Sequence, residues 1–255
     1  DHGYCGFFPG ETWGGKTWLE QNRIIADPAE VRQQLLDACP TETHLRYLVA
    51  EGDASEQLCD VDETGYLFHP AEYDYCFETY LAAFSGKSRK RLRRELADLE
   101  VCGVSYRHDA PQDIDRMFDL NLQAFGERSY FADERFLSGF RAMAKLLSDR
   151  GWLRITTVIL GGDVAAIDMG AVYRGAYTVL AGGTDMRFPG VAKLINLHHI
   201  EWACQQRLQT VDFLCGDFGW KERFHLTARP LYQIRSGHAS IPNAKESEKG
   251  LINVA

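Results

Sequence analysis

TDMRFPGVAKLINLHHIEWACQQ, residues 184–206, sets a proline and a glycine directly ahead of a helical pattern. Strand-like runs flank it, AYTVLAGG at 176–183 and TVDFLCGD at 210–217, so the stretch reads as strand, tight loop, helix and strand. Pro189 fixes φ in the turn, and Gly190 lets the backbone approach a neighbour closely. The first amides of the following helix have no partners inside it, which makes this loop an expected anion-binding place.

Upstream of the loop the pattern has period two. WLRITTVIL at 152–160, the turn pair Gly161 and Gly162, DVAAIDMGAVY at 163–173, the pair Arg174 and Gly175, and then AYTVLAGG predict an antiparallel meander of three strands. Helical spacing precedes it in IDRMFDLNLQAF and DERFLSGFRAMAKLLSDRG, with a strand expected in GVSYRH. A longer helix is expected from Tyr73 to Glu100, broken near Ser85 and Gly86. Its second half places Leu92, Leu96 and Leu99 on one packing face and its arginines outward. Nearer the N-terminus, PAEVRQQLLDAC at 28–39 reads as a helix and HLRYLVA at 44–50 as a strand. A final strand is expected near 231–235. The polar segment 237–255 is expected to be a flexible tail. Each half carries strands with a helix, so the expected division is an N-terminal half 1–104 and a C-terminal half 105–236.

With 255 residues, 45% of them hydrophobic, the chain is long enough to bury a substantial core. A net charge of −8 argues against nucleic-acid binding driven by bulk charge, although a local basic patch could still act. No run approaches the roughly eighteen apolar residues of a membrane helix, and DHGYCGFFPG lacks the features of a signal peptide. Seven scattered cysteines, without a CxxC pair, fit a reducing cytoplasm. No GxSxG, no HExxH and no metal-ligand spacing of Cys and His occurs, so no metal is expected.

Arg187, Gly190 and Ala192 satisfy the pattern RxxGxA. Small residues there leave amides uncovered, and the helix dipole favours negative charge, so a pyrophosphate would fit; the plainer alternative is an ordinary Pro-Gly turn into a helix. The place of this motif, after the third strand of a meander and before a helix leading to another strand, resembles the GNAT N-acyltransferase superfamily. The chain is similar in particular to its cellulose- and exopolysaccharide-associated branch, related to the Fem peptidoglycan aminoacyltransferases. Three stretches carry the narrower resemblance: SGKSRKRLRRELADLE at 85–100, GGDVAAIDMGAVYRGAYTVLAGGTD at 161–185 and VDFLCGDFGWKERF at 211–224.

The resemblance implies an α/β (α+β) fold with a mixed, mostly antiparallel sheet flanked by helices, in two GNAT-like halves. It further implies an acyl-CoA co-substrate, whose pyrophosphate would meet Arg187, Phe188, Gly190, Val191 and Ala192. Many relatives place a tyrosine beyond the fifth strand as an acid; here that neighbourhood offers Phe218, Trp220 and Lys221. Lys221 occupies the place of a lysine that the Fem branch uses near its reaction centre, where a cation could stabilise an oxyanion. The alternative for Lys221 is a surface ion pair with Asp217 or Glu222.

An amine attacking a thioester must lose a proton, so a carboxylate or imidazole is needed near the cleft. Asp168, Asp185, Asp212, Asp217, His198 and His199 are candidates. Asp168 stands out in an apolar run, where a carboxylate is costly unless paired or used; its alternative role is a structural pair with an arginine. His198 shares a face with Val191, Leu194, Ile195 and Trp202 and reads as a packed histidine. The expected catalytic residues are therefore Asp168, Lys221 and Asp217. Trp220, Arg91 and Arg94 are the expected substrate contacts, since the basic run at 87–94 is either a solvated helix face or a contact to an anionic substrate. GETWGGKT at 10–17 matches a P-loop by letters, but no suitable strand precedes it, and Asp27 and Pro28 interrupt the helix that should follow.

The expected activity is transfer of an acyl group from acyl-CoA to a small amine or sugar acceptor. One alternative is an aminoacyl-tRNA donor, with tRNA as partner. A second is a non-catalytic binding module of the same fold.

Overall fold

The structure is a computed structural model that describes residues 21–26, 29–39, 43–50, 60–216 and 219–236. These fall into two compact units: one takes the chain up to Tyr66 with Cys215–Phe224 and the segment from Ala228, the other Leu67–Leu214 with His225–Thr227. The stretch at 10–17, Asp217, Phe218 and the segment from 237 lie outside the described residues.

In the first unit, helix α1 (Ala29–Asp37) precedes strand β1 (Thr43–Leu48), and β1 pairs antiparallel with β8 (Thr227–Ser236). Strand β2 (Asp60–Phe68) stands on the other side of β8. Every residue of β1 is buried, including Arg46. That charge is matched by Asp62, whose carboxylate accepts from Arg46 Nε and Nη2, each at 2.9 Å, and also from the Tyr47 amide. A buried cation is sustained only by such a fully bonded partner.

The second unit begins with helices α2 (Phe77–Ala82) and α3 (Gly86–Glu100). The break expected near Ser85 is present, and Ser85 caps α3 by accepting from the Ser88 amide. The helix does not reach back to Tyr73, because Asp74 and Tyr75 both take left-handed φ, 55° and 56°, which an α-helix cannot pass through. Strand β3 (Val104–His108), helices α4 (Asp113–Phe125) and α5 (Glu134–Asp149), and strands β4 (Leu153–Leu160), β5 (Asp163–Tyr173) and β6 (Ala176–Thr184) follow. Helix α6 (Val191–Gln205) and strand β7 (Thr210–Cys215) complete the unit. Strands β3 to β6 pair antiparallel in sequence order, and β6 pairs with β7 in parallel.

Adjacent residues of β4 show how the helices are shared between the two faces of this sheet. Thr157 donates to Asp113 of α4, and Asp113 also takes Arg107 of β3. Its neighbour Val158, pointing the other way, packs with Leu99 of α3 and Val191, Leu194 and Ile195 of α6. Helix α4 therefore covers one face, and α3 with α6 the other.

The glycine pair Gly182–Gly183 of β6 leaves no room for a side chain. A methyl on Gly183 would collide with the Met117 carbonyl of α4, and one on Gly182 with the Asp168 carboxylate beneath.

Candidate active site

The loop after β6 opens helix α6 as the RxxGxA pattern anticipates. Gly190 is the N-cap, with φ 90° and ψ −8°, and no side chain caps the helix. A β-carbon on Gly190 would meet Leu99 at an ordinary 3.8 Å, so the backbone conformation and not space calls for glycine. Phe188 donates to the Asp185 carbonyl and Val191 to that of Phe188, so two of the expected amides are engaged inside the loop. Gly190 and Ala192 have no backbone acceptor among the described residues. Their N–H groups stand at the positive end of a fifteen-residue helix.

Arg187 folds back on its own loop. Its Nη2 lies 2.7 Å from Asp185 Oδ2 and its amide 2.9 Å from Asp185 Oδ1, with Asp163 at 3.5 Å from Nη1. The Asp185 carboxyl is held below the usual carboxylate range by these Arg187 hydrogen bonds. Arg187 thus braces the loop. An open groove of about 380 Å³ runs beside it, lined by Arg116 and Gln123 of α4 and by Thr184–Arg187.

Strands β6 and β7 pair only from Ala176 with Thr210 to Thr178 with Asp212, although both continue further. Just past that point β6 carries a bulge: Val179 pairs with Gly170 and Ala181 with Met169, leaving Leu180 without a partner on β5. A strand edge that loses its neighbour and carries a bulge offers backbone groups to a ligand lying along it. Asn121 of α4 straps this region, donating to the Gly182 carbonyl at 2.7 Å while accepting from the buried Ser129 hydroxyl at 2.7 Å.

Asp168, on β5, is buried, and its Oδ2 lies 2.9 Å from Nε2 of His199, which is fully enclosed. The expected alternative partner was an arginine; the partner is this histidine, brought from α6 by the sheet register. His198 does pack, stacked on Tyr106 at 3.9 Å, and burial pushes its pKa down to about 3. Sequence reasoning had singled out neither Tyr177 nor Arg154. Tyr177 meets His199 and Trp202 edge-on, and Arg154 lies 3.5 Å from the Trp202 ring centre.

Lys221 and Trp220 belong to the other unit. Lys221 is not a surface cation: it is buried, its ammonium donates to the Cys215 carbonyl at 2.6 Å, and it lies over the Tyr66 ring. Trp220 meets Phe224 edge-on. On α3, Arg91 and Arg94 are exposed, and Arg91 approaches Glu95 at 3.7 Å. Among the described residues no group of three or more His, Cys, Asp or Glu could hold a metal ion, and no helix is long and apolar enough to cross a membrane.

Among functionally curated proteins none matches this sequence. Solved structures share its fold at low identity. FemX superposes with a TM-score of 0.59 at 8% identity, over 87% of this chain and 77% of that one. A conserved protein of unknown function from Bacteroides thetaiotaomicron gives 0.57 at 15%, over 82% and 75%. L-PGS from Bacillus licheniformis gives 0.56 at 14%, over 88% and 76%. Residues 86–222, more than half of the chain and including the meander, the RxxGxA loop and Lys221, match the family described as "Acetyltransferase (GNAT) domain". The chain belongs to this GNAT acetyltransferase family.

Proposed function

We propose that the protein is an N-acyltransferase that moves an acyl group from acyl-CoA to a small amine, such as an amino sugar or amino acid. The observation that carries the reading is the loop at Gly190. Two unpartnered amides at a helix N-terminus are held open by a left-handed glycine, next to a strand edge that has parted from its neighbour. The amides of Gly190 and Ala192 would receive the donor's pyrophosphate, and the donor's arm would run along β6 towards the bulge at Leu180. There the amine nitrogen attacks the thioester carbonyl. The C–N bond forms as the C–S bond breaks, the sulfur leaves as thiolate, and the proton given up by the nitrogen ends on that sulfur, so that the products are amide and free thiol. Backbone N–H groups around the bulge are suited to the developing oxyanion, and positioning supplies much of the rate.

In this reading Asp168 acts from beneath, holding His199 and backing Gly182. Lys221 is bonded to the Cys215 carbonyl instead of meeting the substrate as a free charge. Release of free thiol from acetyl-CoA across a panel of amines tests the proposal; no amine-dependent thiol release from any acyl-CoA would reject it.

A second reading keeps the fold and takes an aminoacyl-tRNA as donor. It is favoured by the exposed Arg91 and Arg94 on α3 and by the fold shared with FemX. Binding of charged tRNA that weakens steeply with salt would support it.

A further inference from the structure

Five buried side-chain polar atoms without a hydrogen-bond partner among the described residues lie in one layer between the sheet and α6. They are Arg154 Nε, Thr156 Oγ1, Tyr177 Oη, His198 Nε2 and His199 Nδ1. Native interiors leave few such atoms, so a cluster of five calls for an explanation.

The sheet register shows why they gather. Arg154 and Thr156 alternate onto the same face of β4, opposite Gly170 and Asp168 of β5. Tyr177 reaches across from β6, so that a methyl on Gly170 would run into its ring, including the carbon that bears the hydroxyl. The phenol end therefore lies over the ladder partner of Arg154. Arg154 and Tyr177 also share a wall, since both pack on the Trp202 indole, with ring-centre distances of 3.5 Å from the guanidinium and 5.5 Å from the phenol.

Charge narrows the choice of occupant. Arg154 is only 8% exposed, yet no carboxylate among the described residues lies within ion-pair distance of it. Asp168, in the same layer, is taken by His199, and Asp109, at the rim, accepts from the Ile155 amide at 3.1 Å. A guanidinium is always charged and only donates, and a buried cation without a counter-ion is costly. The two hydroxyls, both fully enclosed, have no hydrogen-bond partner among the described residues, and each can donate. Three donors and one positive charge without a carboxylate partner suit an acceptor that carries negative charge, and the burial of both hydroxyls favours a small one.

We propose that Arg154, Thr156 and Tyr177 form an internal site for one small monovalent anion of the halide class, seated between β4, β5 and α6. The site lies apart from the Gly190 loop and does not depend on the identity of the acyl donor. By filling the layer under α6, the anion would lock that helix to the sheet.

Bromide is the probe. Thermal unfolding at constant ionic strength, with sodium bromide replacing sodium gluconate, should show a saturable rise of several degrees in the wild type and none in Arg154→Gln. Tyr177→Phe, which removes one donor and keeps the ring, should weaken the bromide response several-fold and serves if the arginine variant does not fold. Anomalous diffraction from bromide-soaked crystals should place a peak within hydrogen-bond reach of Arg154 Nε and Tyr177 Oη. An identical bromide response in wild type and Tyr177→Phe, or ordered water with no anomalous peak at that point, would overturn the proposal.

Discussion

Asp168 of β5 and His199 of α6 meet at 2.9 Å, both removed from solvent, and the carboxylate rests against Gly182 of β6. One side chain thus ties the helix that follows the RxxGxA loop to two strands of the meander.

Asp168→Asn removes the charge while keeping the shape. Breaking one partner of a buried pair costs on the order of 3 kcal/mol, so unfolding by urea should shift to clearly lower concentration. Looser seating of α6 should raise the KM for the donor more than it lowers kcat. Unchanged stability would show that the pair does not anchor the helix.

Gly190 separates folding from binding. Gly190→Ala makes only an ordinary contact with Leu99 but must adopt a φ of 90°, at a cost of roughly 1–2 kcal/mol. Gly190→Asn tolerates that conformation better and should recover most of the stability. Both place a side chain beside the open amides, so both should weaken binding of CoA at least tenfold by calorimetry. Wild-type affinity in the asparagine variant would remove the amides from the account.

Two glycine replacements should differ in kind. Gly183→Ala drives a methyl into the Met117 carbonyl of α4, a clash with backbone that cannot move aside cheaply, and should lose about 1–3 kcal/mol or more. Gly86→Ala, at the start of α3 with nothing within 4 Å, should be neutral or gain up to about 1 kcal/mol. Equal melting temperatures would contradict the packing of α4 over β6.

Acid should act through His198. Burial lowers its pKa to about 3 in the folded protein, whereas the unfolded chain takes up the proton near the ordinary histidine value of about 6.5. The unfolded state therefore binds more protons in between, and stability falls as pH drops from about 6.5 towards 3. His108 is shifted the same way, chiefly by burial. Above pH 7 neither histidine contributes a slope. Melting curves between pH 7 and 5 should decline less steeply in His198→Gln; an identical slope would assign the acid sensitivity elsewhere.

Much of the second unit was legible in the chain because its signals are local. Paired glycines or Arg-Gly mark the meander turns, period two marks the strands, and the Pro-Gly turn marks the start of α6. Strand β2 escaped notice because DVDETGYLF mixes acidic residues and a glycine into a run with little alternation. The early start expected for the helix before α3 failed on two consecutive left-handed residues that carry no glycine to announce them. The partner of Asp168 was not legible either, since it depends on which strands lie side by side and on which of two adjacent histidines turns inward. His198 reaches Tyr106, and His199 takes the carboxylate. The burial of Lys221 depends likewise on Tyr66 and the Cys215 carbonyl, which spacing alone does not connect.

The most direct test of the central claim is thermal unfolding with and without millimolar CoA, acetyl-CoA and a long-chain acyl-CoA, with ATP as control. A ligand present at one hundred times its dissociation constant adds about 2.7 kcal/mol of stability, a shift easily seen. The account predicts stabilisation by a CoA species, lost in Gly190→Asn, and none by ATP. Silence from every CoA species, or stabilisation by ATP alone, would contradict it.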